Sequence, residues 1–163
     1  QNKDSLMELV TINPSAVFGP TLSGNLSGAS MKMFNNMITG KIPILPKAAI
    51  NISDVRDVAK IHVLSLQNQI ANGKRFIVAS EKPYSFYEIA HILKSKGYNK
   101  VNTKLAPNFL LKFLAYFNGE VKSMRTFIGK RYNGDISLTK EAFNWTPINI
   151  EKTLIDTAKS IEG

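Results

Sequence analysis

The residues able to do chemistry are few, and their spacing suits little of it. His62 and His91 fall on separate helical stretches, neither at metal-ligand spacing. Both read as packed or hydrogen-bonded helix-face residues, and no metal site is expected. There is no cysteine, which removes a thiol nucleophile, a thiolate metal site and a disulfide framework. Neither a G-x-S-x-G elbow nor an H-E-x-x-H run occurs. Tyr84, Tyr87, Tyr98, Tyr116 and Tyr132 are followed four residues on by Glu88, His91, Asn102, Glu120 and Ile136, so none leads to a lysine. Gly19, Gly24 and Gly28 do not follow the G-x-G-x-x-G pattern and do not open a helix directly from a strand. No residue is therefore assigned a catalytic role.

What remains is a stiff loop and a charged trio. The loop "NPSAVFGP", Asn13 to Pro20, directly follows the apolar run Leu9-Val10-Thr11-Ile12. On the residues alone, Pro14 and Pro20 end a strand and shape a turn. Asp54, Arg56 and Asp57 read as a helix cap with an arginine–carboxylate contact. Asp54 would receive orphan N–H groups, and Asp57 would favour the positive helix end. Trp145 with Pro147 reads as packing of the helical lobe.

The elements that would position these residues are mostly helices, with three or four short strands. Residues 9–13 and 75–80 are continuous apolar runs without alternation, as parallel strands covered on both faces are. A further short strand is expected over Ala49–Ile52. A helix over Ser30–Thr39 stops at Gly40, and the next opens at Asp54 with Val55, Val58, Ala59, His62 and Leu66 on its inner face. Ser85 and Glu88 form an S-x-x-E capping box for a helix ending at Gly97. Pro107 opens another, a weaker one covers Val121–Gly129, and a short turn precedes Trp145. The last opens at Asn149 with Ile150, Leu154, Ile155, Ala158 and Ile161 on one side. The pattern is α/β: the end of a parallel sheet with a helical lobe attached.

The chain has 163 residues, 44% of them hydrophobic, enough for one domain or for two lobes sharing a core. Net charge is +9, from 21 Lys and Arg against 12 Asp and Glu. Its densest groups, "KSKGYNK" and "GKR", are interrupted by neutral residues, so a solvated surface is expected and no nucleic-acid partner. No apolar run is long enough to span a bilayer and the first residues are no signal peptide, so no membrane partner and a cytoplasmic location are expected. The first residue is Gln and a strand begins almost at once. The expectation is the C-terminal part of a longer chain.

Four stretches in order carry a resemblance: "LVTINPSAVFGP", "INISDVRDVAKIHVLSLQ", "GKRFIVASEKPYSFYEIAHIL" and "NWTPINIEKTLIDTAKSI". Together they resemble the second half of the extended short-chain dehydrogenase/reductases, also described as the NAD-dependent epimerase/dehydratase superfamily. The dihydroflavonol-reductase branch, with its aldehyde and methylglyoxal reductases, looks nearest. The resemblance implies that 9–13 and 75–80 are the last strands of a Rossmann-type sheet covered by helix 54–67. It places 1–27 and 49–82 in the dinucleotide-binding domain, and 28–48 and 83–163 in a substrate-binding lobe. It implies hydride transfer between NADP or NAD and a small-molecule carbonyl. The Gly-rich turn and the Tyr/Lys pair of such enzymes match no position here, so the chain alone should be inactive and need the N-terminal half of the same protein. The resemblance carries Pro14, Ser15 and Val17 to the nicotinamide end of the cofactor, Ser30 to its phosphates, and Phe18 to the substrate pocket. For Ser30 a plain N-cap is the alternative. Unpaired strand edges lead to an expectation of self-association or a homo-oligomer. The rival functions are a nucleotide-sugar epimerase or dehydratase of the same superfamily, and a non-catalytic basic binding module.

Overall fold

The structure, a computed structural model, describes residues 8–107 and 131–162. The helices expected from Pro107 onward and over Val121–Gly129 lie outside the described residues.

The two continuous apolar runs are parallel neighbours. Strand β1 (Thr11–Pro14) pairs with β5 (Arg75–Val78) in the register Thr11↔Arg75 to Pro14↔Val78. The expected strand 9–13 thus starts two residues later and takes in Pro14. The chain then changes partner. After Ser15, β2 (Ala16–Phe18) leaves β5 and pairs in parallel with β4 (Ile52–Asp54). The stiff loop is therefore partly a strand. Three residues between two prolines are too short to show a period of two, so the pattern does not reveal it. The expected strand 49–52 is split at Asn51: β3 (Ala49–Ile50) pairs antiparallel with β6 (Tyr84–Ser85).

The helices close two cores. Helix α1 (Ala29–Ile38) returns from β2 toward β3, and α3 (Phe86–Ser95) opens with the full capping box of Ser85 and Glu88. With α5 (Ile150–Glu162) they bury Phe18, Phe34, Phe86, Leu93 and Leu154 in one cluster. Helix α2 (Val55–Gln67) links β4 to β5. With α4 (Ser137–Phe143) it encloses the second cluster of Ile61, Val78, Ala79, Ile136 and Trp145. Trp145 therefore packs against α2 and the end of β5, not inside the cluster of α1, α3 and α5.

The inner face of α2 differs from the expected one. Val55, Ala59, His62 and Leu66 are exposed, while Asp57 and Ile61 are buried and Val58 and Leu64 pack partly inward. A carboxylate on the buried stripe displaced the apparent apolar face. Asp57 can be buried because both its oxygens are hydrogen-bonded: Trp145 Nε1 donates to one at 2.9 Å and the Ile148 N–H to the other at 2.8 Å. Asp57 is thus a tie between α2 and the turn before α5, not the second half of a capping box.

Candidate functional site

Pro14, Ser15 and Val17 are brought together at the carboxyl ends of the paired strands. Pro14 is exposed at the tip of β1. Ser15 is the pivot between the two pairings. Its N–H donates to Ser53 Oγ at 2.8 Å and lies 3.3 Å from the Val78 carbonyl. Ser53, buried in β4, passes its own proton to that carbonyl at 2.5 Å. One hydroxyl thus ties together the β1–β2 junction, β4 and the end of β5.

Val17 lies in β2 opposite Ser53. Ala16 gives its N–H to the Asn51 carbonyl. Alternate residues of a parallel strand bond to opposite sides, so the backbone of Val17 faces the other edge of β2. Among the described residues that edge carries no strand. Phe18 points the opposite way from any open surface. It is 1% exposed, and its ring centroid is 5.4 Å from that of Phe34.

Beyond β2 the backbone turns sharply at Gly19, where φ is +133°. A side chain there would meet Val55 Cγ1 at 2.5 Å, so only glycine fits between the turn and the start of α2. The Gly19 N–H donates to Thr157 Oγ1 at 2.8 Å and the Thr21 N–H to Ser160 Oγ at 3.0 Å, both on α5.

Ser30 is the second residue of α1, half-buried, and is not its N-cap. The cap is Gly28, which has no side chain to accept the first N–H groups, and no acidic residue occupies the first turn. The positive end of the helix is left without an anionic neighbour of its own. Helix α1 packs against β2, with Phe34 meeting Phe18.

Behind the loop sits the charged trio. Asp54 caps α2 by accepting the Arg56 N–H at 2.9 Å, and it receives Arg56 Nε at 2.8 Å and Nη2 at 2.7 Å. Thr153 Oγ1 donates to the same carboxylate at 2.7 Å. Arg56 Nη1 reaches Asp156 at 2.6 Å. Burial pushes the Asp54 carboxyl upward, but the hydrogen bonds from Arg56 and Thr153 outweigh it and hold it below its ordinary value. The hydrogen bond from Arg56 does the same for Asp156, and the two carboxylates raise the guanidinium further. Asp54, Arg56 and Asp156 thus form a brace between α2 and α5; the expected cap and arginine–carboxylate contact are present at Asp54 and Arg56, whereas Asp57 stands apart on Trp145 and Ile148.

Ser53, Thr153, Thr157 and Ser160 were not singled out in the sequence. The only signal was their type and spacing: hydroxyls at 153, 157 and 160 share the inner face of α5 with Leu154 and Ala158. A buried hydroxyl must find a partner, and here the partners lie up to 139 residues away in sequence. Chemically, the region offers backbone hydrogen-bonding groups and an uncapped helix end and, among the described residues, no acid–base pair.

No family model matches the chain. It is 34% identical over 92 residues to a cinnamoyl-CoA reductase of Medicago truncatula, covering 56% of this chain and 27% of that protein. It is 30% identical over 99 residues to the NADPH-dependent methylglyoxal reductase of Saccharomyces cerevisiae, covering 57% and 29%. The chain spans under half the length of the curated relatives it matches. Among solved structures, Gre2 of Candida albicans in complex with NADPH superposes with a TM-score of 0.69 at 24% identity, over 99% of this chain and 46% of that one. A nucleoside-diphosphate-sugar epimerase of Pseudomonas aeruginosa reaches 0.75 at 11% identity, over 96% and 49%. The fold is that shared by these proteins.

Proposed function

We infer, from homologues that are reductases of the extended short-chain dehydrogenase/reductase superfamily, that this chain is the C-terminal part of an NAD(P)-dependent oxidoreductase. The observation that carries the reading is the parallel pairing of β1 with β5, with the Pro14–Val17 segment standing at their carboxyl ends. Ligands of open α/β sheets bind beyond those ends.

The residues present fit a nicotinamide dinucleotide. The outward edge of β2 at Val17 suits the carboxamide, a group with one acceptor and two donors that matches strand backbone. Pro14 and Ser15 stiffen and anchor that edge. The uncapped start of α1, at Ser30, suits a phosphate. Bound there, the cofactor supplies the hydride that reduces the carbonyl carbon of an aldehyde or ketone.

This chain's own residues bind and orient. Ser53 fixes the start of the loop, and the Gly19 turn aims the following segment. Phe18, buried against Phe34, supports the wall from the core side. The acid–base pair and the pyrophosphate turn come from outside these 163 residues. The chain alone therefore lacks turnover, and the substrate is a small carbonyl compound.

A nucleotide-sugar epimerase is the second reading, since one such enzyme shares the fold. It ranks lower because the sequence relatives are reductases. The test is turnover by the full-length gene product with NADPH or NADH against aldehydes, ketones and nucleotide sugars. Carbonyl-dependent cofactor oxidation supports the first reading. Sugar interconversion without net cofactor oxidation supports the second. Neither, together with salt-sensitive nucleic-acid binding, leaves the basic binding module.

A further inference from the structure

The loop that follows β2 is held less by its own residues than by the last helix of the chain. Two of its backbone N–H groups, those of Gly19 and Thr21, donate to the side-chain hydroxyls of Thr157 and Ser160, and just before β2 the Ser15 N–H donates to that of Ser53. Two of these hydroxyls stand on α5. Each is oriented by its own helix: Thr157 Oγ1 donates to the Thr153 carbonyl at 2.6 Å, and Ser160 Oγ donates to the Thr157 carbonyl at 2.8 Å. A hydroxyl has one proton and two acceptor positions. With the proton committed to the helix, a lone pair is left for the loop.

The arrangement is specific. Thr157 is 0% exposed, so its hydroxyl has no water to bond in place of Gly19. Gly19 has a backbone angle that other residues rarely adopt, and its turn abuts Val55 at the start of α2. The same helix is itself braced one turn earlier, where Thr153 donates to Asp54 and Asp54 is paired with Arg56. A continuous set of bonds thus runs from Arg56 through Asp54 and α5 to the two amides that follow β2.

We propose that Thr157 and Ser160 are positioning residues for the nicotinamide-binding wall: from the last helix they fix the backbone that follows Val17, and so set the aim of the strand edge that receives the cofactor. This rests on the cofactor reading given above. It adds a requirement that the residue types near the loop do not reveal, namely hydroxyls at two positions nearly 140 residues away. A merely structural role would lower stability when these hydroxyls are removed and leave cofactor affinity alone. A positioning role alters cofactor affinity at temperatures where the protein is fully folded.

The experiment uses the full-length gene product. Thr157→Val keeps the shape and removes the hydroxyl; Ser160→Ala, at a half-buried position, serves as the milder variant should Thr157→Val not fold. The expected result is a Kd for NADPH (or NADH, whichever the wild type uses), read by isothermal titration calorimetry, and a KM that both rise about tenfold in Thr157→Val and about threefold in Ser160→Ala, with kcat at saturating cofactor within twofold. Thr157→Ser, which keeps the hydroxyl, should return KM to within twofold of wild type. Trp145→Phe removes a buried hydrogen bond in the other core and should lower stability without changing KM. Unchanged KM in the variant that folds, with wild-type turnover intact, overturns the positioning role and leaves the cofactor reading standing. Absence of both nicotinamide-cofactor binding and turnover in the wild type overturns the cofactor reading, and the positioning role with it.

Discussion

Replacing Gly19 with alanine should be among the most damaging one-carbon additions the chain can suffer. The new Cβ would lie 2.5 Å from Val55 Cγ1, 3.2 Å from the Val55 nitrogen and 3.3 Å from Asp54 Oδ1. Carbon atoms in good contact sit about 3.5–4.0 Å apart, so the first overlap is about 1 Å. Overpacking of that size costs about 1–3 kcal/mol. The φ of +133° adds backbone strain of about 1–3 kcal/mol for a residue with a side chain. The stiffer unfolded chain returns about 0.4–1 kcal/mol. The net is a loss of about 1–5.5 kcal/mol, or a drop of about 0.5–2.8 M in the urea midpoint for a slope near 2 kcal/mol/M. Val55 is 38% exposed, so Val55→Ala alone should cost little. It removes Cγ1, however, and in the double variant it should recover about 1–3 kcal/mol, the overlap share but not the strain. Equilibrium urea unfolding of wild type, both single variants and the double variant measures all four values. A Gly19→Ala loss under about 0.5 kcal/mol, or no recovery in the double variant, would refute the geometry assigned to this turn.

Other perturbations test the remaining joints. Asp54→Asn breaks a pair whose carboxylate is buried while Arg56 remains 35% exposed, so the loss should be about 2–4 kcal/mol by urea unfolding, below that of a fully buried pair. Asp54 and Asp156 have folded-state values held below those of the unfolded chain, so their stabilisation is complete above about pH 4 and is lost as pH falls further. The urea midpoint should fall more steeply below that pH in the wild type than in Asp54→Asn, and equal slopes would contradict it. Asp57→Asn turns an amide N–H₂ toward Trp145 Nε1 or the Ile148 N–H, both donors, and should cost about 1–3 kcal/mol. The isolated 163-residue chain should show neither NADPH oxidation nor a monodisperse monomer by light scattering, because β1 and β2 each present an edge with no strand on it among the described residues.

Legibility followed the physics of each element. Strands β1 and β5 were readable as parallel strands because their apolar residues run on without alternation, although β1 is only partly buried. The capping box at Ser85 and Glu88 was readable because both partners lie within one turn. The inner face of α2 was not. Val55, Ala59, His62 and Leu66 outscore Asp57 on any hydrophobic criterion, and what places Asp57 inside is Trp145, 88 residues away. Thr157 and Ser160 were hidden for the same reason, since a hydroxyl's burial is decided by a distant partner. The site residues Pro14, Ser15, Val17 and Ser30 came from resemblance to a family. Bottom-up, the sequence supported only a strand end and a turn, and the strand β2 that gives Val17 its orientation was concealed between two prolines.

The central claim is that residues 14–21 and the start of α1 form one side of a nicotinamide dinucleotide cleft. The most direct measurement is amide hydrogen exchange of the full-length gene product with and without saturating NADPH or NADH. The account expects slowed exchange at Val17 and at the first N–H groups of α1, residues 29–31, with α2 and the Lys96–Lys104 surface unchanged. Cofactor binding that leaves Val17 and residues 29–31 exchanging at their free rates would contradict it.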